Sequence, residues 1–163
     1  MKGTARTKGG DRPWRRLWIF PIFLVLLVLA ARPASADIEG KPDILDGMTL
    51  RFAGQDIRLF GITAPARDET CPWGRETFPC GFNALNALNY MTAFQWVRCR
   101  PVPGAAAAGG AIVARCFLGG RYDLGERMVR SGWAVTDRDV APEYVAAEEA
   151  AKAEGLGIWA RAQ

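Results

Sequence analysis

Leu45–Ala66 reads LDGMTLRFAGQDIRLFGITAPA, and this stretch decides the fold. Thr49-Leu50-Arg51-Phe52 alternates as a half-buried strand does, with Leu50 and Phe52 facing one way. Ala53-Gly54-Gln55 is a short hairpin turn. Asp56 to Ile62 alternates again, with Ile57, Leu59 and Gly61 on one face and Arg58 and Phe60 on the other. Pro65 closes the run because it has no amide to donate to a ladder. Asp46-Gly47 makes a turn ahead of the first strand. Turn, strand, hairpin and exit loop lie close together, so side chains from both ends converge on one patch.

Upstream, residues 1–16 carry Lys2, Arg6, Lys8, Arg12, Arg15 and Arg16 against one acid, Asp11. Leu17–Ala31 is a nearly continuous apolar run of 15 residues, followed by Ala34-Ser35-Ala36. A basic region, a short apolar core and an A-x-A end predict a signal peptide over residues 1–36, cut after Ala36. An uncleaved anchor is the alternative, against which the run is short for a membrane span and is interrupted by Pro21. Arg15-Arg16 by itself is weak support for a twin-arginine route. A periplasmic or secreted location is expected, with 37–163 as one domain.

The cut changes the charge. The whole chain has 21 basic and 17 acidic residues, net +4. Residues 1–36 hold seven of the basic and one of the acidic residues, leaving 14 against 16 and a net of −2. The mature domain therefore lacks the excess positive charge that supplies most non-specific nucleic-acid affinity.

All four cysteines, Cys71, Cys80, Cys99 and Cys116, follow the cut. An even count in an exported chain favours two disulfides, of three possible pairings. Cys71–Cys80 closes a tight loop with Pro72, Gly74 and Pro79, and Cys99–Cys116 cross-links two neighbouring strands. A four-thiolate zinc site is disfavoured, since 8, 18 and 16 intervening residues leave no close-set pair.

Downstream, Ala66–Gly81 reads as a charged loop, and Phe82–Phe94 as a helix with Phe82, Leu85, Leu88 and Met91 along its apolar face. Asn83, Asn86 and Asn89 form the wet face. Trp96–Arg100 and Ala111–Leu118 are strands, separated by a low-complexity Pro101–Gly110 segment expected to be mobile. Asp123 caps a helix, with Glu126 completing a capping box, and Gly132 stops it. A last helix runs from Pro142 to Gly155 with a Glu148–Lys152 pair, and Leu156, Ile158 and Trp159 fold back on the core. Three strands, a helix, two strands and then helices is the order of an OB-fold, a five-stranded barrel, here with about three helices.

Asp46-Gly47-x-Thr49, Ile57-Arg58-Leu59-x-Gly61-Ile62-x-Ala64-Pro65, Gly132-Trp133-Ala134 and Gly157-Ile158-Trp159 occur in order across the mature chain. Together they resemble the staphylococcal-nuclease-like (thermonuclease) family, and the cysteines resemble its exported bacterial branch. The resemblance implies hydrolysis of DNA or RNA phosphodiesters with one calcium ion, two arginines and several carboxylates. Calcium takes six to eight oxygen ligands, a base deprotonates the attacking water, and arginines neutralise the phosphoryl oxygens.

Carried over position by position, most of that set is absent. The family's D-G-D-T is Asp46-Gly47-Met48-Thr49, which puts a thioether in place of a carboxylate. Its R-L-x-G-I-D-A-P-E is Arg58 to Ala66, so the second ligand is Thr63 and the base is Ala66. Its second arginine falls on Ala111. Arg58 alone keeps its role; Asp46 and Thr49 persist, and both also suit a turn. Asp68 and Glu69 lie close enough in sequence to rebuild a site, but a solvated charge cluster is the simpler reading.

Three functions are consistent with these residues. The first is an exported, catalytically degenerate homologue acting as a monomeric binding module, with no cofactor. The second is a divergent calcium-dependent phosphodiesterase, and the third is a binder of an envelope peptide or glycan.

Overall fold

The computed structural model describes residues 36–160 together with Gly3. The predicted basic and apolar leader lies outside the described residues. Among the described residues, no helix is long and apolar enough to cross a membrane.

The strands are β1 (Ile38–Gly40), β2 (Asp43–Ile44), β3 (Thr49–Phe52), β4 (Gln55–Leu59), β5 (Ile62–Thr63), β6 (Cys71–Trp73), β7 (Glu76–Phe78), β8 (Val97–Ala106), β9 (Ile112–Leu118), β10 (Tyr122–Asp123) and β11 (Val135–Thr136). The helices are α1 (Cys80–Thr92), α2 (Leu124–Arg130) and α3 (Val145–Glu154). The main sheet has the order β1-β8-β9-β4-β3-β2. β4 runs antiparallel to β3 and parallel to β9.

The two ends of that order are β1 and β2, which are consecutive in the chain and separated only by Lys41-Pro42. Three Cα steps from Gly40 to Asp43 reach about 11 Å at most. A flat six-strand sheet would hold its edges farther apart than that, so the sheet curls until its edges approach. Taken as one bent strand, β1 and β2 join β3, β4, β8 and β9 in a partly open five-stranded barrel. This is the OB-type architecture with three helices that the strand order predicts.

Inward-facing Leu50, Ile57, Leu59, Val97 and Leu118 meet Leu88 of α1 and Leu124, Met128 and Val129 of α2 in one core. Cys99 and Cys116 are directly opposed on β8 and β9, fully buried, and joined as a disulfide. Cys71 is joined to Cys80, tying the β6–β7 hairpin to the start of α1.

Several local readings need correction. The helix begins at Cys80, and its buried positions are Cys80, Gly81, Ala84, Leu88 and Thr92, while Phe82 is 50% exposed. At 100° per residue, a row of four positions three apart drifts around the helix by about 180°. Phe82, Leu85, Leu88 and Met91 therefore cannot share one buried face, whereas Ala84, Leu88 and Thr92 stay within one stripe. The Ala66–Gly81 loop contains the β6–β7 hairpin, whose short exposed strands show no alternation to read.

Part of Pro101–Gly110 belongs to β8, which runs on to Ala106; only Pro101 and Ala106 are in register with β9, opposite Ala114 and Ile112, and the register shifts between them. The prolines lack ladder donors there, which explains the irregularity. The strand expected to reach Ile62 ends at Leu59, and the chain turns at Gly61 with φ +70°. Pro142 opens a 3-10 turn before α3. Asp123 accepts from the amides of Gly125 and Glu126, at 2.8 and 3.4 Å.

Glu148, 4% exposed, anchors α3. Its carboxylate accepts from the Thr136 amide at 2.7 Å, Arg138 at 2.9 Å and Lys152 at 2.5 Å. Burial pushes its pKa up, but Lys152, the Thr136 amide and Arg138 outweigh burial and hold it at about 2, from an ordinary 4.5. A carboxyl with a lowered folded pKa stabilises the fold above its unfolded value, and that contribution is lost as pH falls through the folded one. Acid unfolding is therefore predicted to show a stability loss between about pH 4.5 and 2. Denaturant titrations of Glu148→Gln should miss that loss and start roughly 2 kcal/mol less stable at neutral pH. Equal acid sensitivity of parent and variant would contradict the assignment.

Candidate functional site

The site forms where the first turn, the end of β4 and the β5 exit come together. Asp46 accepts the Met48 amide through Oδ1 at 2.8 Å, so one of its carboxylate oxygens serves the turn. Gly47 is buried under two neighbours: a Cβ there would stand 2.8 Å from the Ala84 Cβ and 2.9 Å from the Ala64 Cβ. The turn, the β5 exit and α1 thus meet at a position that only glycine fills without displacement.

Met48 follows, half-buried and packed on the core. Its sulfur receives the Ala64 amide at 3.4 Å. Thr49 and Arg58 are directly opposed across β3 and β4. Arg58 faces outward between buried Ile57 and Leu59, into a cleft of about 460 Å³. The ion pairs found among the described residues do not include Arg58.

Arg58, Phe60, Thr63, Val113, Asp137 and Val140 line the cleft, with the alanines 105–108 along one wall. Thr63 is exposed on β5, whose partner is β11. Asp137, just beyond β11, donates its amide to the Gly61 carbonyl at 2.9 Å. Sequence reasoning missed Asp137. Its place in the cleft lining depends on the long-range β5–β11 pairing, and no local pattern signals that. Ala111 is half-buried just ahead of β9 and does not line the cleft.

Ala66 is exposed and donates its amide to Glu69 Oε2 at 2.9 Å, while its carbonyl accepts the Glu69 amide at 2.8 Å. The Glu69 carbonyl in turn accepts the Gly81 amide at 3.1 Å. Glu69 is thereby occupied in pinning the exit loop to α1, and Asp68 remains an exposed side chain outside the cleft lining. Glu69 also lies within 4.8 Å of the sulfurs of Cys71 and Cys80. Those sulfurs are bonded to each other and offer no thiolate to a metal.

Phe60 is held from behind by Arg115, whose guanidinium stacks 4.3 Å from the ring centroid. Arg115 bonds Glu143 and, at 3.1 Å, the Tyr144 hydroxyl. That hydroxyl donates to Asp123 Oδ2 at 2.7 Å. Burial, reinforced by Asp123, raises the Tyr144 pKa far above its usual value and keeps the proton in place. This network fixes one wall of the cleft to the start of α2.

The donor set does not fit a calcium ion. Six to eight oxygens are needed, but the cleft lining offers one carboxylate, Asp137, and one side-chain hydroxyl, Thr63. A thioether occupied by an amide stands at Met48, and Ala66 has no donor beyond its backbone. What remains is a guanidinium beside a hydroxyl and one acid, an arrangement suited to holding an anionic or polar group.

The curled barrel with three helices and an arginine-bearing cleft at the β4–β5 exit is of the OB type. The family model described as "Staphylococcal nuclease homologue" matches residues 56–161, and the chain belongs to that family. It is 31% identical over 150 residues to "Succinoglycan biosynthesis protein ExoI" of Rhizobium meliloti (strain 1021), covering 87% of this chain and 74% of that protein. It is 33% identical over 116 residues to "Probable endonuclease LCL3" of Leptosphaeria maculans, covering 64% of this chain and 37% of that protein.

Because two methyl groups close on Gly47, Gly47→Ala is predicted to cost about 1–3 kcal/mol through overpacking. Chemical denaturation checks this. An unchanged midpoint would show that α1 and the β5 exit are not packed on the turn as described.

Proposed function

We propose that this chain is an exported, non-hydrolytic member of the nuclease family that works as a monomeric binding module. The observation that carries the reading is the Met48 sulfur, which takes the Ala64 amide at 3.4 Å where the family pattern puts a metal-binding carboxylate. Thr63 and Ala66, at the other two acidic positions, support it. Losing a general base costs about 10²–10⁴ in rate, and losing one charge-stabilising donor about 10²–10³. Such losses do not add simply, but absence of the metal carboxylates as well leaves little basis for turnover.

Export is supported by two disulfides, which persist in oxidising compartments, and by the leader pattern of residues 1–36. The expected mature charge of −2 favours a partner other than nucleic acid. The name of the rhizobial relative associates that protein with succinoglycan biosynthesis, which favours a polysaccharide context over a peptide one. The second reading, a divergent phosphodiesterase, draws on Arg58, Thr63 and Asp137 sharing one cleft and on the endonuclease name of the other relative.

A hydrolysis assay on single-stranded DNA and on RNA, with calcium and with a chelator, separates the two. The purified protein is expected to show no calcium-dependent cleavage. Installing Met48→Asp, Thr63→Asp, Ala66→Glu and Ala111→Arg together is expected to bring measurable cleavage back. Calcium-dependent cleavage by the unmodified protein that disappears in Arg58→Ala would establish the phosphodiesterase instead.

A further inference from the structure

A second groove, of about 270 Å³, lies where β8 leaves the turn after α1, with Glu39, Trp96, Arg98, Phe117, Gly119 and Gly120 along its walls. None of these residues lines the Arg58 cleft. Arg98 is directly opposed to Glu39 on β1 and to Phe117 on β9. The neighbours Val97, Cys99, Cys116 and Leu118 are buried, so by strand alternation Arg98 and Phe117 stand on the outer face. Glu39, Arg98 and Phe117 thus form one row across three strands.

The row is held in place. Arg98 forms an ion pair with Glu39 while both stay nearly half exposed. Arg100 stacks 5.5 Å from the Phe117 ring centroid and bonds Asp37 at 3.4 Å. At the rim, Trp96 is 66% exposed. Gly119 and Gly120 present bare backbone, and a Cβ on either would meet nothing within 4 Å.

We propose that this groove binds a neutral oligosaccharide, with one sugar ring stacked on Trp96 and its hydroxyls bonded to Glu39 and Arg98. A flat indole offers a large apolar face with few rotatable bonds, which matches the C–H face of a pyranose. A paired carboxylate and guanidinium supply acceptors and donors side by side, as adjacent hydroxyls require. Arg98, in the groove lining, is paired with Glu39, and the neighbouring Arg100 with Asp37. The groove lining therefore holds one acid and one base and carries no surplus charge for a phosphodiester chain, which depends on it for affinity. The bare glycine turn lets a ring come close to the backbone. The inference rests on the binding-module reading only for its context. It uses residues outside the cleft, so sugar binding and loss of hydrolysis stand or fall separately.

Calorimetric titration of the purified protein with cellohexaose and with laminarihexaose, at low and at high salt, tests it. Saturable binding of at least one of them is expected, insensitive to salt. Trp96→Ala and Arg98→Ala should each weaken it about tenfold or more, with melting temperatures unchanged because both side chains are exposed. Trp96→Phe should retain part of it. Trp73→Ala, which removes a different exposed indole, should leave it intact. Absence of binding to both hexasaccharides would overturn the proposal, as would binding that survives Trp96→Ala. Salt-sensitive capture of a single-stranded oligonucleotide that depends on Trp96 would assign the groove to nucleic acid instead.

Discussion

β4 carries the architecture. It pairs antiparallel with β3 on one side and parallel with β9 on the other, and a hairpin can make only the first of these contacts. The parallel contact requires the chain to leave, build α1 and β8, and return as β9 in register, with Arg58 beside Val113. The short β1–β2 link then draws the sheet edges together. Both strands that flank Arg58 are fixed by these pairings, so the guanidinium is presented from an interior strand of the barrel. The cleft exists because β5, turned away at Gly61, pairs with β11 rather than continuing the main sheet.

The same packing bears on how this chain's residues depart from the family pattern. Gly47, Ala64 and Ala84 pack within a methyl's reach of one another, so the turn that carries Met48 has little freedom to move. With that backbone position fixed, the chemistry depends on which side chain occupies it. The thioether there packs on the core and takes the Ala64 amide, and offers no carboxylate oxygen. The scaffold is retained while the group it presents is different.

Much of the fold was legible because it is written in local rules. Ala53 and Gly54, both at positive φ, make the hairpin turn that alternation on either side predicts. Gly132 and Gly155, also at positive φ, end helices as expected. The buried face of α1 is not legible from the spacing of Phe82, Leu85, Leu88 and Met91, because positions three apart drift around a helix while Ala84, Leu88 and Thr92 stay on one stripe. The β6–β7 hairpin was missed because its residues are mostly exposed and lack a two-residue period. Of the residues singled out by motif position, Arg58 and Thr63 line the cleft, whereas Met48 and Ala66 do not. Asp137 was not legible, since only the pairing of β5 with β11 brings it to Gly61, and the engagement of Glu69 with Ala66 depends on how the exit loop meets α1.

The central claim is that the carboxylate frame for a hard divalent ion is gone. A calorimetric titration of the purified protein with calcium tests it most directly. The account predicts no saturable heat from the Arg58 cleft, and the same trace for the parent and for Asp137→Asn. Saturable calcium binding with one site per chain, lost in Asp137→Asn or Thr63→Ala, would contradict it.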